Sequence, residues 1–239
     1  MAMGHPAIDA ALGGGIAAGR LHEIFARDVQ DASSAAGFAA MLARLIGGAL
    51  LWVRMGKEER IGGKLYAPGL CEIGLDPSTA IFGVLPDAVS VLRAGIDIAR
   101  CPDVGVALIE LWKTPRELDQ VASRRLAVAA ENAGTTVLLL RIDAEPSPSV
   151  AQTRWSVTAA PSAPLPANAP GHATFDVELL RQRGRAQAGR WRVEWDRERA
   201  RFVEPGLRDH AAPLSGDRVP DAFGGSLAPG AGPRRQSGG

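Results

Sequence analysis

Short apolar runs set between longer stretches of helical spacing constrain this chain more than any other feature. The runs are LHEIF (21–25), ALLWV (49–53), AIFGVL (80–85), VGVALIEL (104–111) and TVLLL (136–140). Near-continuous apolar runs mark strands buried on both faces of a parallel sheet. Their alternation with helices implies right-handed βαβ units and a doubly wound α/β sheet. One helix is read over about 33–46, with Phe38, Leu42 and Leu45 as its apolar stripe. Another spans about 87–100, with Val89, Leu92, Ile96 and Ala99 inward and Pro102 as its stop. A third opens on Thr114-Pro115-Arg116-Glu117, a capping box with proline at the first helical position. It carries Leu118, Val121, Ala122, Arg125 and Ala129 on one face and stops at Gly134.

The pattern changes after Asp143. A Pro/Ser break leads to TRWSVTA (153–159), read as a strand, and then to a Pro/Ala-rich connection over 160–173. FDVELLRQR (175–183) and RWRVEWD (190–196) alternate with period two and are joined by GRAQAG (184–189) as a hairpin. From about Arg208 the chain is rich in Gly, Pro and Ser and is read as disordered. The expected organisation is an α/β core over 1–143, a strand and hairpin extension of the same domain over 144–207, and a tail over 208–239.

Composition excludes little. The 239 residues are 46% hydrophobic and 22% charged, a globular balance, and the net charge of +1 selects no class of partner. Cys71 and Cys101 form no CxxC, so neither a disulfide framework nor a zinc site is expected, and a reducing cytoplasm fits. MAMGHPAIDA lacks a basic region followed by an apolar one, so no signal peptide is expected. No apolar stretch approaches the roughly 18 residues of a membrane span.

AIDAALGGGIAAGRLHEIF (7–25) can be a glycine turn before a strand. Its order says more: an Asp, then ALGGG, then GR, then a strand ending in EI and an aromatic. This resembles the entrance to the RecA recombinase core. In that family a glycine-rich loop follows and ends in Gly-Lys-Thr, wrapping phosphates with backbone N–H groups, lysine and a hydroxyl. Here the two loop glycines fall on Ala26 and Asp31, the lysine falls on Ala32, and Ser33 alone keeps a hydroxyl. Asp28 and Asp31 add negative charge beside the phosphate position, a repulsion of about 1 kcal/mol or more. No productive ATP binding is expected.

Glu110 ends the strand at 104–111. The resemblance makes it a remnant of the magnesium-holding carboxylate, and the plainer reading makes it a strand-end residue meeting Lys113 or Arg116. Where the catalytic glutamate of RecA-like enzymes would follow ALLWV, this chain has Arg54-Met55-Gly56, with Glu58 and Glu59 slightly late.

LYAPGLCEIGLDPSTAIFGVLP (65–86) is similar to the RecA segment that leads through Leu-Gly-x-Asp to a strand. It is more similar to the matching segment of ImuA proteins, the RecA-like accessory proteins of bacterial mutagenesis cassettes. TRWSV followed by RQRGRAQAGRWRVEW also resembles ImuA, which has an RW strand, a Pro-rich connection and an arginine-bearing hairpin ending in W.LEW. The resemblance covers about residues 5–203. It implies a RecA-like α/β core with a mostly parallel sheet flanked by helices, a C-terminal β-hairpin extension, no cofactor and no catalysis. It implies binding to ImuB, a polymerase-like protein, and through it support of an error-prone C-family DNA polymerase, with contact to RecA or DNA as a further option. The setting would be the SOS response, in the bacterial cytoplasm and at the nucleoid. RecA itself has an N-terminal docking segment, long DNA-contacting loops and a C-terminal α/β domain. None has an evident counterpart here, so a strand-exchanging filament is not expected.

The hairpin region, Arg181 to Arg201, holds eight arginines against Glu194, Asp196 and Glu198. Arg181, Arg183, Arg185, Arg190, Trp191 and Trp195 are its candidate partner or DNA surface, because arginine and aromatic groups together grip backbones and partners. The alternative is an edge hairpin with inward tryptophans and solvated arginines. His22 reads as structural, and His5, His172 and His210 form no catalytic set. Two other functions are open: a SulA-like cell-division inhibitor and a cryptic RecA-type ATPase.

Overall fold

The computed structural model describes residues 1–206 except 166, 168, 170 and 185–187. The expected tail over 208–239, with its reading as disordered, and candidate Arg185 lie outside the described residues. The parallel strands are β1 (Leu21–Ala26), β2 (Ala49–Met55), β3 (Ala80–Leu85), β4 (Val104–Trp112), β5 (Thr136–Ile142) and β6 (Thr153–Ala159). Antiparallel β7 (Thr174–Gln182), β8 (Gly189–Asp196) and β9 (Arg201–Val203) follow. Together they form a 9-stranded sheet in the order β3-β2-β4-β5-β1-β6-β7-β8-β9. β1 and β5 are buried along their whole length, His22, Glu23, Thr136 and Arg141 included. β7, β8 and β9 thus extend the sheet beyond β6, and β9 is a strand that the sequence reading lacks.

The helices are α1 (Pro6–Leu12), α2 (Ala32–Ile46), α3 (Glu59–Gly62), α4 (Ala67–Glu72), α5 (Ala88–Ala99) and α6 (Gln120–Ala133). α2 covers one face, where Phe38 meets Trp155, Phe175 and Phe202. α5 covers the other, and its Gly95 lets it approach closely, since a Cβ there would stand 2.5 Å from Ile109 Cδ1 and displace that side chain. Strand alternation puts Ile109 and Trp155 on opposite faces across the register.

Two helix expectations need correction. Thr114 does not cap α6. Its hydroxyl accepts from Arg141 Nη2 at 3.4 Å, Leu118 N–H closes a turn on Pro115 O, and Asp119 caps instead, accepting from Ala122 N–H at 2.7 Å. The buried face of α6 is Ser123, Leu126, Ala129 and Ala130, whereas Val121 is 56% exposed and Arg125 is exposed. The helix carries two apolar stripes, and the one with the larger Leu126 takes the sheet. In α5, Val91, Leu92, Gly95 and Ala99 face in while Val89 is exposed.

The two sheet edges differ. β9 is short, and its central Phe202 N–H donates to Met3 O. β3 has no charged residue, and Ile81 and Val84 are 64% and 54% exposed. Such an uncharged edge is open to pairing. No helix among the described residues is long and apolar enough to cross a membrane.

His22 anchors β1 through a directed chain. Ala17 O can only accept, so His22 Nε2 carries the proton and donates to it at 2.8 Å. Nδ1 then accepts from the Thr153 hydroxyl at 2.7 Å, and Thr153 Oγ1 accepts from Trp155 Nε1 at 2.8 Å. Burial pushes the His22 pKa from 6.5 down to about 4, against a smaller raising effect of the Ala17 hydrogen bond. Between those values the unfolded chain binds a proton that the folded chain does not. Stability is therefore complete above pH 6.5 and falls as pH drops towards 4, by about 3 kcal/mol in all. Urea denaturation at pH 7.5 and 4.5 should show that loss, and His22→Gln should flatten it; equal slopes in both proteins would refute the assignment.

Candidate functional site

Between β1 and α2 the chain runs from Arg27 to Asp31, closing in a 3-10 turn at Val29–Asp31. Asp28 Oδ1 accepts from Gln30 N–H at 2.8 Å. Asp31 Oδ1 accepts from Ala159 N–H, at the end of β6, at 2.8 Å. Arg27 lies 3.8 Å from Glu145 and is half exposed. Of the loop's own donors, the Gln30 N–H is thus held by the Asp28 carboxylate and the Asp31 N–H by the Asp28 carbonyl. Ala26 is the last residue of β1, paired with Ile142, so it belongs to the sheet.

Ala32, Ser33 and Glu110 come together at one cavity of about 40 Å³, and Arg54 lines it too. Glu110 meets neither Lys113 nor Arg116. It is 2% exposed, and its Oε1 is 3.0 Å from Arg54 Nη2 and accepts from Trp112 Nε1 at 2.9 Å. Its Oε2 accepts from Trp52 Nε1 at 3.1 Å. Parallel pairing of β2 with β4 brings Arg54 and Glu110 together, a partnership that crosses from one strand to the next. Arg54 also donates from Nη1 to Gly63 O at 3.0 Å. The α3 segment closes over the pair, and glycine is needed at 62 because a Cβ there would lie 2.6 Å from Trp112 Cζ2. The Glu110 carboxylate is neutralised by a guanidinium and hydrogen-bonded by two indole donors. A space of about 40 Å³ is an order of magnitude below ordinary ligand pockets of about 300–1,000 Å³.

The other face holds a second buried charge cluster at the ends of β5, β1 and β6. Glu23 Oε2 accepts from Arg154 Nε at 2.7 Å, and Arg154 Nη2 donates to Ser147 O at 2.6 Å. The guanidinium groups of Arg141 and Arg154 stand 5.6 and 5.2 Å from the Phe25 ring centroid. Burial draws Arg141 below its ordinary range, with the Glu23 charge opposing. These groups are sealed under the 143–152 connection and have the geometry of a structural clamp.

The hairpin separates what the sequence reading grouped. Arg192 and Asp176 face each other across β8 and β7 in a bidentate pair at 2.7 and 2.8 Å. That hydrogen bonding holds Asp176 below the usual carboxylate range. Arg190 pairs with Glu178 at 3.1 Å, and exposed Arg181 donates to Ser149 O at 3.2 Å. Arg183 is exposed. Trp195 does not belong to a surface: it is 2% exposed, donates to Ile73 O and packs edge-on against Phe202. Trp191 is half-buried against Trp155. Period-two alternation puts both tryptophans on the face that α2 covers and Arg190 and Arg192 on the opposite one. Trp191 nevertheless joins Arg27, Arg190 and Arg192 in the lining of one groove of about 660 Å³, whereas Trp195 lies outside it.

Among solved structures, the chain is similar to the RadB recombinase, with a TM-score of 0.57 at 15% identity over 85% of this chain and 99% of that one. The fold is RecA-like. No family model matches the chain, and no curated protein matches it. Within the RecA-like frame, Ser33 and Glu110 stand where the sequence reading placed them, at the start of α2 and late in β4. Arg54 was seen only as a missing glutamate. Its role as the partner of Glu110 had one signal in the sequence, a lone charge inside the apolar run of β2.

Proposed function

We propose that this chain is a noncatalytic RecA-like accessory protein of DNA-damage-induced mutagenesis, of the ImuA kind. It acts in the cytoplasm, and at the nucleoid when active, by binding an ImuB-type polymerase-like protein, and so supports an error-prone C-family polymerase. The observation that supports the noncatalytic part is the Arg54–Glu110 pair, which engages the carboxylate beside Ser33 within the protein. The RecA-like fold and the ImuA-like motifs support the rest. The uncharged β3 edge with exposed Ile81 and Val84 fits a protein that works by being covered.

Two measurements test this reading. Titration of a fluorescent ATP analogue with magnesium should give no saturable binding; micromolar saturation would restore the ATPase alternative. Purified ImuB-type protein should associate with the chain at micromolar concentration in calorimetry, and no association at that concentration removes the proposed role.

A further inference from the structure

The outer stripe of α6, which the core does not use, forms a groove of about 570 Å³ with Arg100 and Pro102 of the turn that follows α5. Val121 and Val128 line it at 56% and 49% exposure, with Arg124 and Arg125 between them along the helix. Arg100, at the end of α5, supplies a third cation. No carboxylate lines the groove among the described residues. Asp97 meets Arg100 at 3.4 Å as an exposed pair, and no ion pair to Arg124 or Arg125 occurs among the described residues. Glu131, farther along α6, is engaged by Arg20.

We infer that this groove docks an amphipathic helix of a partner protein, with an apolar ridge on the valines and acidic residues on the flanking arginines. The seven-residue step from Val121 to Val128 spans about 10 Å along the axis, the distance between apolar anchors two turns apart on a docked helix. Burial of the two valines rewards an apolar ridge, which a nucleic-acid backbone does not offer. A second copy of this chain is disfavoured because a two-fold contact through the groove would set Arg124 and Arg125 against themselves. The inference goes beyond the proposed function, since it names a recognition chemistry independent of ImuB.

A display library of helical peptides, selected on the full chain and counter-selected on the Arg124→Glu/Arg125→Glu double variant, tests it. Enriched peptides should carry Leu or Phe at i, i+3/i+4 and i+7 with flanking Asp or Glu. In fluorescence anisotropy, binding should weaken at least tenfold in the double variant and in Val128→Asp, and should fall with added salt. Val128→Ser provides a milder variant, and unchanged circular dichroism and Tm confirm folding. Enrichment of peptides without acids, no enrichment at all, or unchanged affinity in the variants overturns the proposal. It is equally overturned if the double variant loses binding to a single-stranded 30-mer of thymidine, or if Val128→Asp dissociates a dimer in sedimentation. Failure of ImuB to bind, with acidic peptides still selected, would reject the proposed function and leave the groove standing.

Discussion

Arg54→Met alone should lower stability by about 3–5 kcal/mol, because it leaves the Glu110 carboxylate buried without its cation. Glu110→Leu alone should cost a similar amount, since it strands the Arg54 guanidinium and the indole N–H groups of Trp52 and Trp112. The double variant removes both charges. It should be more stable than the sum of the two losses predicts, by a coupling of about 2–3 kcal/mol. Guanidinium denaturation of the four proteins completes the cycle, and additive losses would show that the pair is not a unit. Arg54→Met should also fail to bind magnesium–ATP. Opening the cavity restores no glycine at 26 or 31 and no lysine at 32, and the carboxylates of Asp28 and Asp31 still occupy the backbone donors of Gln30 and Ala159. Saturable nucleotide binding by that variant would mean that Arg54 alone blocks the site.

The central strands were legible because they are sandwiched between layers, and a segment buried on both faces is apolar along most of its length. The connection from β1 to α2 was legible for a related reason: the loop's chemistry requires glycine and lysine at fixed steps, and their replacement is visible residue by residue. Contacts between segments distant in sequence were not legible. The Arg54–Glu110 pair depends on the register of β2 with β4, which neither strand encodes alone. The face of α6 was partly misread because Val121 and Ala122, spaced from Arg125 and Ala129, mimic a core stripe. Spacing reports that a stripe exists and is silent on whether the sheet or something else covers it. β9 is too short at three residues, and too near arginines, to stand out as a strand. The hairpin's alternation was read correctly, yet buried Trp195 was still pooled with the arginines into one surface. The pleat that made the strands recognisable also sends its side chain to the face opposite Arg190 and Arg192.

Phe38→Ala should cost about 3–5 kcal/mol and should do so for the whole sheet at once. Phe38 is fully buried on α2, and its ring lies 5.0 Å from Phe202, 6.0 Å from Phe175 and 6.4 Å from Trp155. Those partners sit on β9, β7 and β6, so one side chain of the parallel core holds three strands of the extension. Each aromatic contact adds about 0.5–1.5 kcal/mol beyond the area it buries. Phe38→Leu keeps most of the volume and loses the ring geometry, so it should cost clearly less than alanine. The decisive reading is the coincidence of two transitions. Of the tryptophans, Trp52 and Trp112 report the parallel core, whereas Trp155, Trp191 and Trp195 report the extension. If the nine strands unfold as one unit, fluorescence and far-ultraviolet circular dichroism should shift together in Phe38→Ala, with one midpoint. A fluorescence change that runs ahead of the dichroism would mean that residues 144–207 form a separate cooperative unit, docked on the RecA-like core rather than part of it.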